Sequence, residues 1–461
     1  MINFADIAAK AESGDYEGAT QVLGPYLDSE PNDPRALYIM GYVFLKLEKP
    51  GLAYQVMTRA VELVPQMAAA WHNLGKTCYE MQRFDEADCA FRRALALDQR
   101  FVNSLDGVGL VSLNRANFED AIGYCSRAIA EKPGLMDSMV NRGMAYLGME
   151  RWEEGWRGYN CNFGNNKDRK ERCYSGEPRW DGSKGKNLVV FGEQGIGDEI
   201  NFGSCIADLI RDSASVVIEC DKRLETVFRR TFPDQEVRGT RYDSEITWVN
   251  GRNFDAHVSF GQLPQFYRRT NSDFPSGAYL IPDPELRLMF KARFDSLPKK
   301  PRIGITWNGG IAPTGKAVRS IALETLLPIL EFDAHWVSLE YKPPKDLDAF
   351  NAKHNLNIMH WPWAVQCYDY DITLALIAEL DMVITVTQTA VHAAGALGKE
   401  CWCLVPSRPI WMYGRSGRHF HWAKSVELFR QQGSDWPIAE VRQRLEEKFS
   451  DSGSRNERQA A

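Results

Sequence analysis

Through the first third of the chain, small and apolar positions recur every 34 residues. Ala19, Ala53, Ala87, Ala121 and Gly155 fall in one register, and Gly41, Gly75, Gly109 and Gly143 in a second. Ala60, Ala94 and Ala128 make a third, while Pro31, Pro65, Gln99 and Pro133 make a fourth that is broken once. Large apolar residues such as Trp71, Leu74 and Phe91 lie between them. The pattern predicts two antiparallel helices per unit. Small residues let the helices approach, large ones fill the groove, and the proline ends each second helix. Units of this kind bury their helices only by stacking, which leaves a concave face.

From residue 187 the pattern changes to short apolar runs alternating with helical stretches. NLVVFG leads into a glycine turn and a helix, and SVVIEC and AHVSF continue the alternation. A second series follows PKKPR: IGITWNGG, HWVSLE, MVITV and CWCLV, separated by helices near LETLLPILE, ITLALIAEL and AVHAAGALG. Strands alternating with helices predict two doubly wound parallel sheets with a boundary near 285–300 and ligands at the carboxyl-end crevices. The stretch 151–187, rich in Gly, Asn, charge and aromatics, has no sustained period and reads as a linker packing through Trp152, Trp156, Tyr159 and Trp180. The expected plan is a helical array over 1–160, a linker over 161–186, lobes over 187–295 and 296–448, and a disordered tail over 449–461. The fold class is therefore α plus α/β, an all-α solenoid followed by two Rossmann-like lobes.

The periodic part resembles the tetratricopeptide repeat, whose motif recurs across 34–160. Residues 1–33 resemble an imperfect capping repeat that keeps only the second helix, with Ile7 where a glycine is expected. The resemblance implies a groove that accepts a peptide or partner protein. A rigid spacer or a dimerisation arm, giving a homo-oligomer, is the alternative.

Charge narrows the partners. The chain carries 55 Lys and Arg against 61 Asp and Glu, a net charge of −6, and its first 150 residues hold the excess of acids. A mildly acidic chain without a basic block argues against nucleic acid. There is no run of eighteen apolar residues, and the amino-terminal stretch has acids where a signal peptide needs an apolar run. A soluble, cytoplasmic protein that is not transmembrane is expected. Of ten cysteines the one close pair, Cys401 and Cys403, lacks the second half of a zinc site. Buried thiols in a reducing compartment, and no metal, are expected.

Three strand-to-helix turns could carry chemistry. In GEQGIGD, Gln194, Gly195 and Gly197 allow close backbone approach, and Asp198 opens the helix, as a cap or as a catalytic carboxylate. In WNGGIAPTGKAVRS, Asn308 follows a strand, and Lys316 and Arg319 are cations suited to a diphosphate. In VITVTQTAVHAAGALG, Thr387, Gln388 and Thr389 begin a small-residue helix, an anion cradle, with His392 in its first turn.

Taken together, these turns resemble the heptosyltransferase-like glycosyltransferases of family nine, which have the GT-B fold. Bacterial tetratricopeptide proteins carrying such a domain are more similar still. The matching pieces are Trp180–Gly182, Glu193–Asp198, Ala390–Lys399 and Phe429–Trp436. The layout is also similar to that of the O-linked N-acetylglucosamine transferases. The resemblance implies an inverting, metal-independent transfer from a nucleotide-sugar to a protein or glycan, without a cofactor. It makes Asp198 the general base, and places Lys316, Arg319 and Thr387–Thr389 around the diphosphate. Glu340 and Tyr341 would contact the base or ribose. One departure stands out: the relatives carry aspartate where this chain has Thr387. That leaves room for a non-catalytic scaffold or sensor whose lobes only bind a nucleotide or sugar phosphate, and for a purely structural role.

Overall fold

The computed structural model describes residues 3–165, 169–275, 277–310, 315–342 and 346–459, with side chains up to residue 450. Residues 311–314 of the second candidate turn, and 460–461 of the expected tail, lie outside the described residues. The chain forms two compact units. The first is Met1–Asn162 with Ile410–Met412, the second Phe163–Pro409 with Tyr413–Ala461.

The first unit contains five helix pairs. They are α1 (Phe4–Glu12) and α2 (Tyr16–Ser29), α3 (Pro34–Lys46) and α4 (Pro50–Leu63), α5 (Ala68–Glu80) and α6 (Phe84–Leu97), α7 (Val102–Asn114) and α8 (Phe118–Glu131), and α9 (Met136–Gly148) and α10 (Trp152–Tyr159). The 34-residue period is a packing period. A Cβ on Gly41 would lie 2.5 Å from Met57 Cε, one on Gly75 2.7 Å from the Phe91 ring, and one on Gly109 2.4 Å from Cys125 Sγ. At Gly143 it would lie 2.5 Å from the Tyr159 backbone nitrogen, the same offset of sixteen residues each time. Phe91 also reaches forward, because a Cβ on Gly107 would lie 2.7 Å from its ring. One phenyl ring is thus clasped by a glycine of its own pair and a glycine of the next.

The turns inside the pairs repeat as strictly. Gly14, Glu48, Gln82, Ala116 and Glu150, 34 residues apart, all have left-handed backbone with φ of 91°, 56°, 59°, 55° and 61°. At each, this residue's N–H donates three residues back and the next N–H donates five back, as in Glu48 to Leu45 and Lys49 to Phe44. This is the Schellman closure that satisfies the last carbonyls of a helix. It corrects the expectation for residues 1–33, which hold a full pair. Ile7 and Leu23, both buried, take the places of Gly41 and Met57.

Among the described residues the second unit contains two sheets whose strands pair in parallel. The first has the order β3-β2-β1-β4, from β1 (Asn187–Phe191), β2 (Ser215–Glu219), β3 (Glu236–Arg238) and β4 (Ala256–Ser259). The second has the order β10-β9-β8-β5-β6-β7, from β5 (Arg302–Ile305), β6 (His335–Ser338), β7 (Met359–His360), β8 (Met382–Val386), β9 (Cys401–Val405) and β10 (Val426–Arg430). β8 and β9 are buried along their whole length, as strands covered on both faces must be. In chain order the second sheet reads 3-2-1-4-5-6, the doubly wound arrangement, with its reversal between β5 and β8. In the first sheet the reversal falls between β1 and β4.

Several boundaries differ from the expected ones. The segment from Phe163 onward is built into the second unit rather than linking two units. The His257 N–H donates to Pro178 O and the Trp180 N–H to His257 O, so residues 178–180 run parallel to β4 and cover its edge. Trp152, Trp156 and Tyr159 belong to α10 and are buried within the first unit. The helix Pro284–Asp295, assigned by the sequence to the first lobe, packs instead on second-lobe elements: Phe290 stacks on Trp363 at 5.3 Å and Arg287 pairs with Glu379. The final helix runs Ile438–Gln459 where a disordered tail is expected from 449.

Cys401 and Cys403 are buried on β9, and burial pushes both thiols upward. Among the described residues, no helix is long and apolar enough to cross a membrane.

Candidate functional site

Each candidate turn leaves a strand next to a point of strand-order reversal. After β1 the chain turns through Gly192–Gly195 into the helix Ile196–Gly203. Gly195 is its N-cap and has no side chain, so the cap runs one way: the Asp198 carboxylate reaches back and accepts the Gly195 N–H at 3.2 Å. Asp198 is half-buried. Burial first, then the nearby Glu193 carboxylate, push its pKa up to about 6, against the pull of the Gly195 N–H and the charges of Arg241 and Arg319.

The sequence reading missed the group that supports this turn. Glu193 is buried, accepts from Ser259 Oγ at 3.0 Å and pairs with Arg169 at 3.2 Å. Arg169 belongs to residues 169–180, a strap whose end covers the edge of the first sheet, and Ser259 ends β4. One carboxylate therefore ties the turn to both. In the sequence it was visible as the first residue of the piece Glu193–Asp198, beside the half-buried Gln194, but it was given no role of its own. Glu199 is also buried; it accepts the Asp221 N–H at 2.8 Å and pairs with Arg241.

In the second lobe, β8 ends at Val386, Thr387 follows it, and Gln388 caps the helix Thr389–Ala396 without a side-chain bond of its own. Gln388 Nε2 is buried with no hydrogen-bond partner among the described residues. Arg319 reaches this point, but its Nε donates to Thr387 O at 3.0 Å and to Thr387 Oγ1 at 3.1 Å. The guanidinium expected to hold a diphosphate thus also holds Thr387, the residue that follows β8. Lys316 is exposed.

Glu340, expected to touch a ribose, is buried beneath the loop after β5. It accepts the Trp307 N–H at 2.6 Å and the Asn308 N–H at 2.7 Å. Burial raises its pKa while those donors oppose the rise. Its present work is to shape the loop that carries Asn308. Tyr341 is 57% exposed.

The two helix starts meet. A Cβ on Gly197 would lie 3.2 Å from both Thr389 Oγ1 and His392 Cδ2. His392 is buried, and its Nδ1 lies 3.2 Å from Asn201 Oδ1, one helical turn beyond Asp198. Burial, helped by Arg319, pushes the imidazole pKa down to about 3, so it is neutral at physiological pH. His392 therefore serves as a bond between the lobes. At the other end of these helices the connecting segment closes the frame: the Tyr279 hydroxyl donates to Ile200 O, and the Tyr279 N–H to Ala396 O at 2.9 Å. Arg230 adds a clasp, donating to Asp371 at 2.7 Å and Asp283 at 2.9 Å.

These features define a class: a helical-repeat solenoid joined to an α/β unit in which two parallel sheets present their reversal points to one another. The tetratricopeptide character of the first unit is supported by comparison. Residues 12–94 match the family described as anaphase-promoting complex, cyclosome, subunit 3. The chain is 25% identical over 434 residues to Protein FlbA of Caulobacter vibrioides, covering 90% of this chain and 72% of FlbA. A match of that length spans both units. A shorter stretch of 116 residues is 27% identical to the Saccharomyces cerevisiae protein called essential for maintenance of the cell wall protein 1, covering 25% of this chain and 13% of that one. Among solved structures, MamA is 24% identical with a TM-score of 0.32, covering 35% of this chain and 92% of MamA.

Proposed function

We propose that the second unit is a GT-B glycosyltransferase that moves a sugar from a nucleotide-sugar to a hydroxyl of a protein or glycan selected by the repeats. The observation that carries this reading is the van der Waals meeting of Gly197 with Thr389 and His392. It brings a carboxylate-bearing turn beside an anion-favouring helix start.

In this reading Asp198 takes the proton from the acceptor hydroxyl as its oxygen forms a bond to the anomeric carbon. The bond from that carbon to the nucleoside diphosphate breaks on the opposite face, giving inversion. A carboxylate with a pKa near 6 is ionised at neutral pH yet basic enough for the transfer, a role worth roughly 10²–10⁴-fold. Charge growing on the diphosphate would be met by the backbone N–H groups at Thr389, by the unpartnered Gln388 amide and by Lys316. Glu193, held by Arg169, is a positioning residue that keeps the turn in place.

The test is turnover across a panel of nucleotide-sugars, comparing wild type with Asp198→Ala. Turnover that falls at least a hundredfold in the variant supports the assignment, and turnover unchanged in the variant removes Asp198 from the chemistry. The second reading, a scaffold or sensor, is favoured by one observation: Thr387 lacks a carboxylate and is engaged by Arg319. It predicts calorimetric binding of a nucleoside diphosphate with no turnover of any donor.

A further inference from the structure

We propose that Cys173, Glu177 and His257 form a zinc site that staples the strap to the edge of the first sheet. Cys173 Sγ, a Glu177 carboxylate oxygen and a His257 ring nitrogen all lie within 4.8 Å of one another. They come from the strap and from β4, so the fold, not cysteine spacing, assembles them.

The electrostatics of His257 call for a cation at this place. The ring is buried, with Nε2 3.0 Å from Glu171 Oε1 and Nδ1 3.2 Å from Glu177 Oε1. A neutral imidazole has one N–H and can satisfy one such contact. The other ring nitrogen then faces a carboxylate oxygen lone pair to lone pair, and a cation seated between Nδ1 and Glu177 Oε1 meets both.

The surroundings have the features of a ligand shell. Glu171 on Nε2 would orient the ring and raise its basicity, as carboxylates do behind metal-bound histidines. Glu177 is fixed by the Tyr174 N–H at 2.9 Å and Ser175 Oγ at 2.9 Å, with the Ser175 N–H at 2.6 Å. Cys173 is exposed, which gives an entry path and leaves the fourth position to water. A thiolate, a carboxylate and an imidazole are a mixed S/O/N set suited to Zn²⁺, whose two charges the thiolate and carboxylate neutralise. Zinc binds the thiolate form of Cys173 and an unprotonated Nδ1 of His257, so its entry is coupled to proton release.

The experiment uses the full chain, dialysed against chelator and then titrated with Zn²⁺. Calorimetry in two buffers of different ionisation enthalpy reads stoichiometry and protons together. One ion per chain, a net release of protons and a raised melting temperature are expected. Co²⁺ in its place should give a thiolate-to-cobalt absorption band in the near ultraviolet. Cys173→Ser, a change at an exposed thiol, should keep the metal-free melting temperature, weaken zinc at least tenfold and remove the band. Zinc that fails to bind at micromolar concentration, or that binds Cys173→Ser as tightly as wild type, overturns the proposal. Neither outcome depends on sugar transfer.

Discussion

The two units bury different things. Among the described residues the helical array buries neutral polar groups such as Asn73, Thr77, Ser104 and Ser138, and no charged side chain. The α/β unit buries Arg169, Glu193, Glu199, Glu219, Glu340 and Asp371. Removing a charge from water costs several kcal/mol unless partners replace the solvent, so a fold keeps such groups where they do something apolar packing cannot. In the array, contacts repeat between neighbours and each pair resembles the last. In the α/β unit, carboxylates tie together segments distant in sequence, and they concentrate around the turn that carries Asp198. The difference separates a region built to stack from a region built to hold a geometry.

The sharpest way to break this contrast is to remove a charge from the second unit and watch function rather than fold. Asp198→Ala should lower turnover by about 10²–10⁴-fold while leaving the melting temperature near wild type or above it, read by steady-state kinetics and thermal unfolding together. The array should answer in the opposite currency. Phe91→Ala removes the ring clasped by Gly75 and Gly107 and should cost about 3–5 kcal/mol in denaturant unfolding of the array. It should leave the chemistry on a soluble acceptor analogue unchanged.

A smaller effect tests the sign of the electrostatics. The folded pKa of Asp198, about 6, lies above its ordinary 3.8, so the ionised form is the one folding disfavours. Wild type carries no penalty below about pH 4, where the group is protonated in both states, and the full penalty above about pH 7. Asp198→Asn should therefore stabilise the protein by about 1–2 kcal/mol at pH 7.5, less than the full shift because the group is half-buried, and the gain should vanish at pH 4. Equal stabilisation at both values would show that Asp198 is not held uphill. Smallest are the array's unconstrained glycines: nothing lies within 4 Å of a Cβ placed on Gly24 or Gly123, so Gly24→Ala and Gly123→Ala should each add about 0.5–1 kcal/mol, measured by chemical denaturation. Gly75→Ala, which drives a Cβ to 2.7 Å from the Phe91 ring, should destabilise instead.

The same contrast explains what could be read from the chain. Gly41, Gly75, Gly109 and Gly143 announce themselves because each meets a partner sixteen residues away, and a local rule repeated four times is visible in one sequence. The parallel strands were legible as apolar runs, except β3, which is EVR, β7, which is two residues long, and β10, VELFR, whose apolar run is broken by Glu427. Asp198, Thr389 and His392 were legible as glycine-turn and small-residue motifs. What the sequence hid is long-range: Arg169 lies 24 residues from Glu193, Asn201 lies 191 from His392, and His257 lies 80 from Glu177. No local pattern encodes such pairings. Glu340 and Arg319 were found as residues but assigned to a ligand, because a motif shows which charges are near a turn and not which backbone groups they already serve.

The most direct measurement is a structure of the full chain soaked with a nucleotide-sugar or its hydrolysis-resistant analogue. The account predicts diphosphate oxygens within hydrogen-bond distance of the Thr389 backbone N–H, with the anomeric carbon facing the Asp198 carboxylate. A donor seated away from both helix starts, or an Asp198 carboxylate turned from the anomeric carbon with only Gly195 as partner, would contradict it.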